Sequence, residues 1–258
     1  MSLIALFLML AADPASKSER VLTAYCQSIR TEGQSNQPGS TRVYAGTGLC
    51  FSGEIDGPAA LAFTSSLDGL TASPIIVINS GGGDVDAGLD MAESIRTRHA
   101  TVIVDGVCAS SCANYIFPAG GRRVISRNGI LAFHGGAVAI SDDDLRQMLK
   151  PIVPLDQLDQ AVASAREDNA NRLARQDAFE AEVGMRGFFR WMAELNALPP
   201  EEKSRLCPDE TATALVFSPR RLQEQGLVVQ VNDGPQSGGE VSQALRENDA
   251  TWTACYIH

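Results

Sequence analysis

An alternation of buried-strand and amphipathic-helix patterns between residues 59 and 133 constrains the fold of this chain more than any other feature. Helical patterns cover 59–70 and 85–98, and β-branched apolar runs cover 74–79 and 101–105. Strands that alternate with helices are joined by crossovers and lie parallel in one sheet. The pattern predicts an α/β fold whose parallel sheet is covered by helices.

Weaker patterns extend this prediction on both sides. They indicate helices over 18–31 and from about residue 110, strands within 43–55 and over 123–126 and 130–133, and a polar linker at 32–42. Ser218-Pro219 and Gly226 are typical of a helix start and end, and the strand LVVQV follows at 227–231. The charged helical segment 141–196 is either a solvated face or an oligomer contact, and we assign no chemistry to its carboxylates.

The amino terminus carries an apolar run at 3–12 that has the length of a signal-peptide core and is too short to span a bilayer. Ala12 and Ala15 offer small-residue cleavage positions, although the two residues before the run lack the usual Lys or Arg. The alternative, a first core helix, is weaker because Pro14 breaks the run and no polar face exists. We expect a signal peptide at 1–15, either cleaved or kept as an anchor, and an exported protein.

Charge and composition exclude several function classes. Lys and Arg number 21 against 31 Asp and Glu, which gives a net charge of −10. Such a charge repels nucleic acid and anionic lipid, so no nucleic-acid partner is expected. A hydrophobic content of 44% with 20% charged residues is typical of a packed globular protein.

The cysteine count fits an oxidising compartment. The six cysteines are an even number, and in an exported chain they favour disulfides whose pairing the sequence leaves open. Cys108 and Cys112 form the only close pair, and a bridge between them is compatible with their spacing without being implied. The three histidines are scattered, so no metal site is predicted.

Three short blocks between residues 79 and 134 carry candidate chemistry, each at the carboxyl end of a predicted strand. The first, NSGGGDV at 79–85, is a glycine turn whose exposed N–H groups suit an anion, although a plain tight turn is equally compatible. The second places Ser110 among small residues at a helix start, as a nucleophile or as a helix cap. The third ends in His134, the best-placed general base, although a structural histidine is the commoner use of such a position.

Together these blocks carry a family resemblance. INSGGGDVDAG, GVCASSCANYIFPAG and ILAFHGG, followed later by FSPRRLQEQGLV, resemble the proteolytic subunit of the Clp protease (ClpP) and its exported relatives in order and approximate spacing. The resemblance covers about 45–231 and is weak over 141–198. It implies an α/β fold of the ClpP/crotonase type, a spiral of ββα units with a helical arm.

The resemblance also implies a set of site residues. Ser110 matches the nucleophile, His134 the general base, and the backbone N–H groups of Gly83 and Ser111 the oxyanion hole. It implies a peptide or protein substrate and a homo-oligomer, and no cofactor. An exported protein would not meet an unfolding ATPase, so no ATPase partner is expected.

The third member of the catalytic triad is missing. The family places an Asp where this chain has Ala214, so a Ser-His dyad is the simplest expectation. Thr213 could orient the imidazole, and Asp209 or Glu210 could reach it only after a loop rearrangement. Lys17, Lys150 and Lys203 lie outside the three blocks, so a Ser-Lys dyad ranks below His134.

Three function hypotheses follow. The first is an exported serine peptidase, located in the periplasm or otherwise outside the cytoplasm. The second is a catalytically silent binding or scaffold protein of the same fold, which Ala214 favours. The third is an acyl-CoA enzyme of the crotonase class, which the negative charge and the expected export disfavour.

The expected domain organisation follows from these predictions. A signal peptide at 1–15 precedes an N-terminal helix and linker at 16–42, the ClpP-like domain at 43–231 with its helical arm at 141–198, and a C-terminal tail at 232–258.

Overall fold

A computed structural model describes residues 16–30, 37–185 and 187–258. The expected signal peptide at 1–15 lies outside the described residues, as does much of the predicted linker. Among the described residues, no helix is both long enough and apolar enough to cross a membrane.

The central sheet confirms the prediction of an α/β fold with parallel crossovers. Its strands run in the order β1-β2-β3-β4-β5-β8, with β6 paired to the end of β4, and every pair except β1–β2 is parallel. The strands are β1 (Ser40–Tyr44), β2 (Gly48–Ser52), β3 (Ile75–Ser80), β4 (Thr101–Ala109), β5 (Arg122–Ile125), β6 (Ile130–Ala132) and β8 (Val231–Asn232).

Helices cover both faces of this sheet. They are α1 (Lys17–Ile29), α2 (Gly57–Asp68), α3 (Val85–Thr97), α4 (Phe117–Ala119), α5 (Asp142–Leu149), α6 (Leu158–Val183), α7 (Phe188–Ala197), α8 (Pro200–Leu206), α9 (Pro219–Glu224) and α10 (Gly238–Glu247), with a π-helix over Cys112–Ile116. Several of these helices have a side-chain N-cap. At the start of α3, for example, the Asp84 carboxylate accepts a hydrogen bond from the Ala87 N–H.

Alternate residues of the central strands face different helices. Ile76 and Val102 belong to the main core that includes residues of α2 and α3, whereas Val77 and Ile103 pack with Leu22 of α1. This burial on both faces explains why β3 and β4 are runs of β-branched residues and show no polar alternation.

A second, two-stranded sheet extends the fold beside β6. β7 (Ala214–Phe217) and β9 (Ala254–Ile257) pair in parallel, and Phe133 exchanges backbone hydrogen bonds with Leu215 of β7 at 2.8 and 2.7 Å. Residues 232–258, which the sequence suggested were a short tail, therefore contribute α10 and β9 to the fold.

Other element predictions need correction as well. The region 43–55 holds parts of two antiparallel strands, because β1 begins inside the predicted linker. The predicted strand at 101–105 continues to Ala109, since its last residues pair with β6. Of LVVQV, only Val231 is in a strand.

The arm formed by α5, α6 and α7 is attached to the body of the protein. Arg172 and Arg175 of α6 pair with Asp86 of α3 at 2.8 and 3.2 Å. The buried Gln176 amide accepts hydrogen bonds from the Tyr115 hydroxyl and the Ala137 N–H. One face of α6 is therefore structural.

The cysteines form three disulfides. Cys26–Cys50 joins α1 to β2, Cys108–Cys112 spans the end of β4, and Cys207–Cys255 ties the loop after α8 to β9. Three bridges are compatible with a location outside the cytoplasm.

Candidate active site

Ser110 lies at a sharp turn between β4 and the π-helix. Its φ is 54°, a left-handed backbone conformation that costs an ordinary L-residue about 1–2 kcal/mol. The residue is partly exposed although its neighbours on both sides are buried. Strain that presents a serine at the end of a central strand is a common property of functional sites.

Several contacts hold this turn. The Ser110 N–H donates to the Ala132 carbonyl at 3.2 Å, and the Asn114 N–H donates to the Ser110 carbonyl at 2.8 Å. The Cys108–Cys112 disulfide closes over the turn with its Cα atoms 5.2 Å apart, and both of its residues are fully buried. The left-handed serine is therefore fixed from β6, from the helix and by a covalent bridge.

The glycine turn packs directly against Ser110. A Cβ on Gly82 would lie 2.5 Å from the Ser110 Cβ, so only glycine allows this approach. Gly83 forms a parallel bridge with Ile55. In this bridge the Ile55 N–H donates to the Gly82 carbonyl, and the Asp84 N–H donates to the Ile55 carbonyl. The Ser111 hydroxyl donates to the Gly83 carbonyl at 2.7 Å and joins the two turns.

Two backbone donors at this junction have no acceptor within the part of the chain that the structure describes. They are the N–H groups of Gly83 and Ser111, the pair that the sequence analysis suggested as an oxyanion hole. The Ser111 N–H is also at the positive end of a helix. The arrangement can donate two hydrogen bonds to an anion.

His134 lies two residues after the end of β6, and its side chain is exposed. Ala109 of β4 pairs with Ala132 of β6, so His134 and the turn at Ser110 lie at the ends of neighbouring parallel strands. The Ser110 hydroxyl and the His134 ring form no hydrogen bond with each other or with any other described residue. The fold thus places the two residues at neighbouring strand ends without a hydrogen bond between them.

The neighbour of His134 on its other side is Ala214. Phe133 pairs with Leu215 in antiparallel fashion, so the next position of that register sets Ala214 opposite His134. Ala214 is buried and offers a methyl group where a triad would need a hydrogen-bond acceptor.

Other candidate acceptors lie farther along the chain. Thr213, Asp209 and Glu210 are exposed and line the same cavity as His134. Hydrogen bonds from the Thr211 hydroxyl and N–H, at 2.6 and 3.0 Å, lower the pKa of Asp209. That carboxylate is therefore already engaged, and the structure gives His134 no acidic partner.

A cavity of about 430 Å³ adjoins His134. Its lining includes His134 and Ala214, and it does not include Ser110. Its volume is in the range of small-molecule sites. Lys203, the only lysine near these residues, lines it as well, whereas Lys17 and Lys150 lie in α1 and at the end of α5.

Two asparagines that the sequence analysis did not select hold the segment around His134. Asn196 of α7 donates to the His134 carbonyl at 3.0 Å, and the buried Asn114 donates to the Gly135 carbonyl at 2.6 Å. Asn114 lies four residues after Ser110 and could have been noticed as a polar residue in an apolar helix. Asn196 gives no such signal, because it belongs to the charged arm.

Metal binding has no support in the described ranges, where no group of three or more His, Cys, Asp or Glu side chains is arranged to hold an ion.

Comparison with known proteins gives matches among solved structures and none among sequences. No protein-family model and no curated protein sequence matches the chain. Among solved structures, the chain is similar to a ClpP1 mutant from Listeria monocytogenes, with 17% identity, coverage of 74% of this chain and 90% of that chain, and a TM-score of 0.44. The likeness is one of coarse architecture and transfers no residue role.

Proposed function

We propose that this chain is an exported serine hydrolase of the ClpP type that cleaves peptides, with Ser110 as nucleophile and His134 as general base. The observation that carries the proposal is the left-handed Ser110, partly exposed at the end of β4, beside two backbone N–H groups that lack acceptors. Nucleophile, base and oxyanion donors are the parts that acyl transfer requires.

The chemistry follows from the position of each group. His134 removes the proton from the Ser110 hydroxyl as the oxygen attacks a peptide carbonyl, and the N–H groups of Gly83 and Ser111 hold the resulting oxyanion. The imidazolium then gives its proton to the departing amine. Water, deprotonated by His134, then attacks the acyl-serine. The imidazolium returns this proton to the Ser110 oxygen as the ester bond breaks, and the acid leaves as a carboxylate with loss of its proton to solvent.

This sequence of steps needs a hydrogen bond between Ser110 and His134, and we propose that it forms when substrate binds. Catalytic hydrogen bonds are often long or absent before substrate binds. The His134 side chain is exposed and its ring has no partner among the described residues, so no existing bond has to break.

Further parts of the proposal concern the setting of the enzyme. The three disulfides support export. A spiral of ββα units, a homo-oligomer and a peptide substrate follow from the sequence resemblance and belong to the same proposal. No cofactor enters the mechanism.

A catalytically silent scaffold is the second candidate, and a specific observation favours it. Ala214 stands opposite His134, so no acceptor fixes the imidazole. Removal of the orienting carboxylate from a Ser-His-Asp triad lowers turnover by about 10⁴-fold. The second candidate therefore predicts a Ser110 of ordinary reactivity.

Labelling with a fluorophosphonate decides between the two. The probe reacts with an activated serine that has an oxyanion hole and requires no knowledge of the substrate. We expect an adduct on Ser110, located by mass spectrometry, that is absent in Ser110→Ala and His134→Ala. The exposed Ser164 of α6 provides the control, because Ser164→Ala should label normally. A folded protein without adduct would support the scaffold.

A further inference from the structure

The cavity beside His134 occupies the place where a triad carboxylate would stand. It begins at Ala214 and His134, which are opposite each other in the β6–β7 register. A methyl group at position 214 leaves the space next to the imidazole open. A ligand in this cavity can therefore reach His134 from the side away from Ser110.

The walls of the cavity are largely apolar. They include Phe133, Trp191, Leu195, Leu206, Leu215 and Ile257. Trp191 and Phe133 also pack on Phe217, with ring centroids 5.0 and 5.6 Å apart, which makes this wall rigid. Such a lining favours a ligand with an apolar body.

Cationic donors line the same cavity. Arg221 and Lys203 both belong to its lining. The Arg221 Nη1 pairs with Glu224 at 3.0 Å, but both side chains are more than a third exposed and such a pair is weak. Lys203 forms no ion pair with any described residue. These groups suit an anion.

The protein's own acidic groups in the lining do not fill this role. The Asp209 carboxylate accepts hydrogen bonds from Thr211, and the side chains of Asp209 and Glu210 are exposed. The two cationic side chains and the apolar walls are thus left for an external ligand.

We propose that this cavity binds the carboxylate of a ligand with an apolar body and that the bound carboxylate accepts a hydrogen bond from the His134 ring. The ligand would supply the triad member that Ala214 lacks, orienting the imidazole and stabilising the imidazolium without taking up the proton itself. The inference rests on the proposed function and adds a carboxylate-dependent activation to it. Two sources share this chemistry, a fatty acid and the carboxyl terminus of a peptide.

Fluorophosphonate labelling with added carboxylates tests the activation. Octanoate represents the fatty acid and N-acetyl-leucine the peptide terminus, each compared with its neutral amide. We expect one acid or both to raise the Ser110 labelling rate at least tenfold in a saturable manner, and the amides to have no effect. The more effective acid identifies the source. Equal effects of acid and amide would overturn the inference.

Variants locate the effect in the cavity. Ala214→Asp should label faster without any added acid and should lose the response to octanoate, because the protein then carries its own carboxylate. Arg221→Gln should weaken the apparent octanoate affinity at least fivefold. Arg220→Gln is the matched control, since Arg220 pairs with the same Glu224, is 88% exposed and does not line the cavity.

A binding measurement separates failure of the inference from failure of the proposed function. Octanoate is titrated into the folded Ser110→Ala protein while the His134 ring is observed by ¹⁵N NMR. Saturable shifts of the ring nitrogens with octanoate, and none with octanamide, support the site even if wild-type Ser110 never labels. Labelling of Ser110 without octanoate binding or acceleration would refute the site and leave the hydrolase intact.

Discussion

Removal of the Cys108–Cys112 disulfide should slow the labelling of Ser110 more than removal of Cys26–Cys50 does, although it should destabilise the fold less. The bridge spans a sequence separation of 4, whereas Cys26–Cys50 spans 24. In the chain-entropy model, stabilisation grows with the logarithm of the closed loop. The shorter bridge then contributes about 2 kcal/mol to the free energy of unfolding, and the longer one about 3.5 kcal/mol.

A comparison between these two bridges isolates the stabilisation that comes from loop length. All four cysteines are buried, so replacement by alanine removes similar packing from both pairs. Cys108→Ala/Cys112→Ala should therefore lose about 1.5 kcal/mol less than Cys26→Ala/Cys50→Ala. Urea unfolding measures this difference directly.

The effect on Ser110 should have the opposite order. Cys108 and Cys112 flank the left-handed serine. Once the bridge no longer holds the turn, a backbone strain of about 1.4 kcal/mol would lower the population of the left-handed conformation about tenfold. We expect the labelling rate of Cys108→Ala/Cys112→Ala to fall by about that factor. The Cys26–Cys50 bridge lies between α1 and β2, so its loss should leave the rate nearly unchanged. Labelling that follows stability in both variants would refute a positioning role for the shorter bridge.

Three further perturbations test other parts of the structure. Gly82→Ala should lower the free energy of unfolding in urea by about 2–4 kcal/mol and slow the labelling of Ser110, because the added Cβ would meet the Ser110 turn. Its control is Gly57→Ala, whose Cβ would have no atom within 4 Å and which should leave stability unchanged or slightly higher. Burial raises the pKa of Tyr115 to about 12, so this hydroxyl ionises at lower pH in the unfolded chain than in the folded one. The free energy of unfolding of the wild type should therefore fall above pH 10, by up to about 2–3 kcal/mol, and the fall should be smaller in Tyr115→Phe. Asp105→Asn, which leaves the Arg30 guanidinium without its buried carboxylate, should lower the free energy of unfolding by about 3 kcal/mol; a loss below 1 kcal/mol would contradict a structural role for the pair.

The sequence predicts the centre of this fold well because the relevant signals are local. The β-branched run of β3 and the apolar stripe of α3 are set by neighbours within a few residues, and both elements fall within two residues of their predicted bounds. The carboxyl end of β4 depends instead on pairing with β6, some 23 residues later in the register. Likewise β7 pairs with β9 across 40 residues, a contact for which neither strand carries a local pattern.

The candidate site shows the same distinction between features set by nearby residues and features set by distant ones. Ser110 and His134 can be selected from residue type and from their position after a strand, and the structure sets them on neighbouring strands. Neither the left-handed backbone of Ser110 nor the support of His134 by Asn196 can be read from the sequence, because both depend on distant packing. The missing hydrogen bond between serine and histidine is also beyond a one-dimensional pattern.

The candidate site positions follow one another across adjacent strand ends, and this order shows which group the proposed mechanism lacks. From β3 to β7 the sequence is the Gly83 turn, Ser110, His134 and Ala214. Each of the first three has a chemical group suited to acyl transfer, and the fourth has only a methyl group. Because strand register fixes all four, no loop movement is needed to bring an acceptor to His134 if one is present at the fourth position. In the proposed mechanism, activity therefore depends on that position, which the open cavity leaves accessible to a carboxylate from outside the chain.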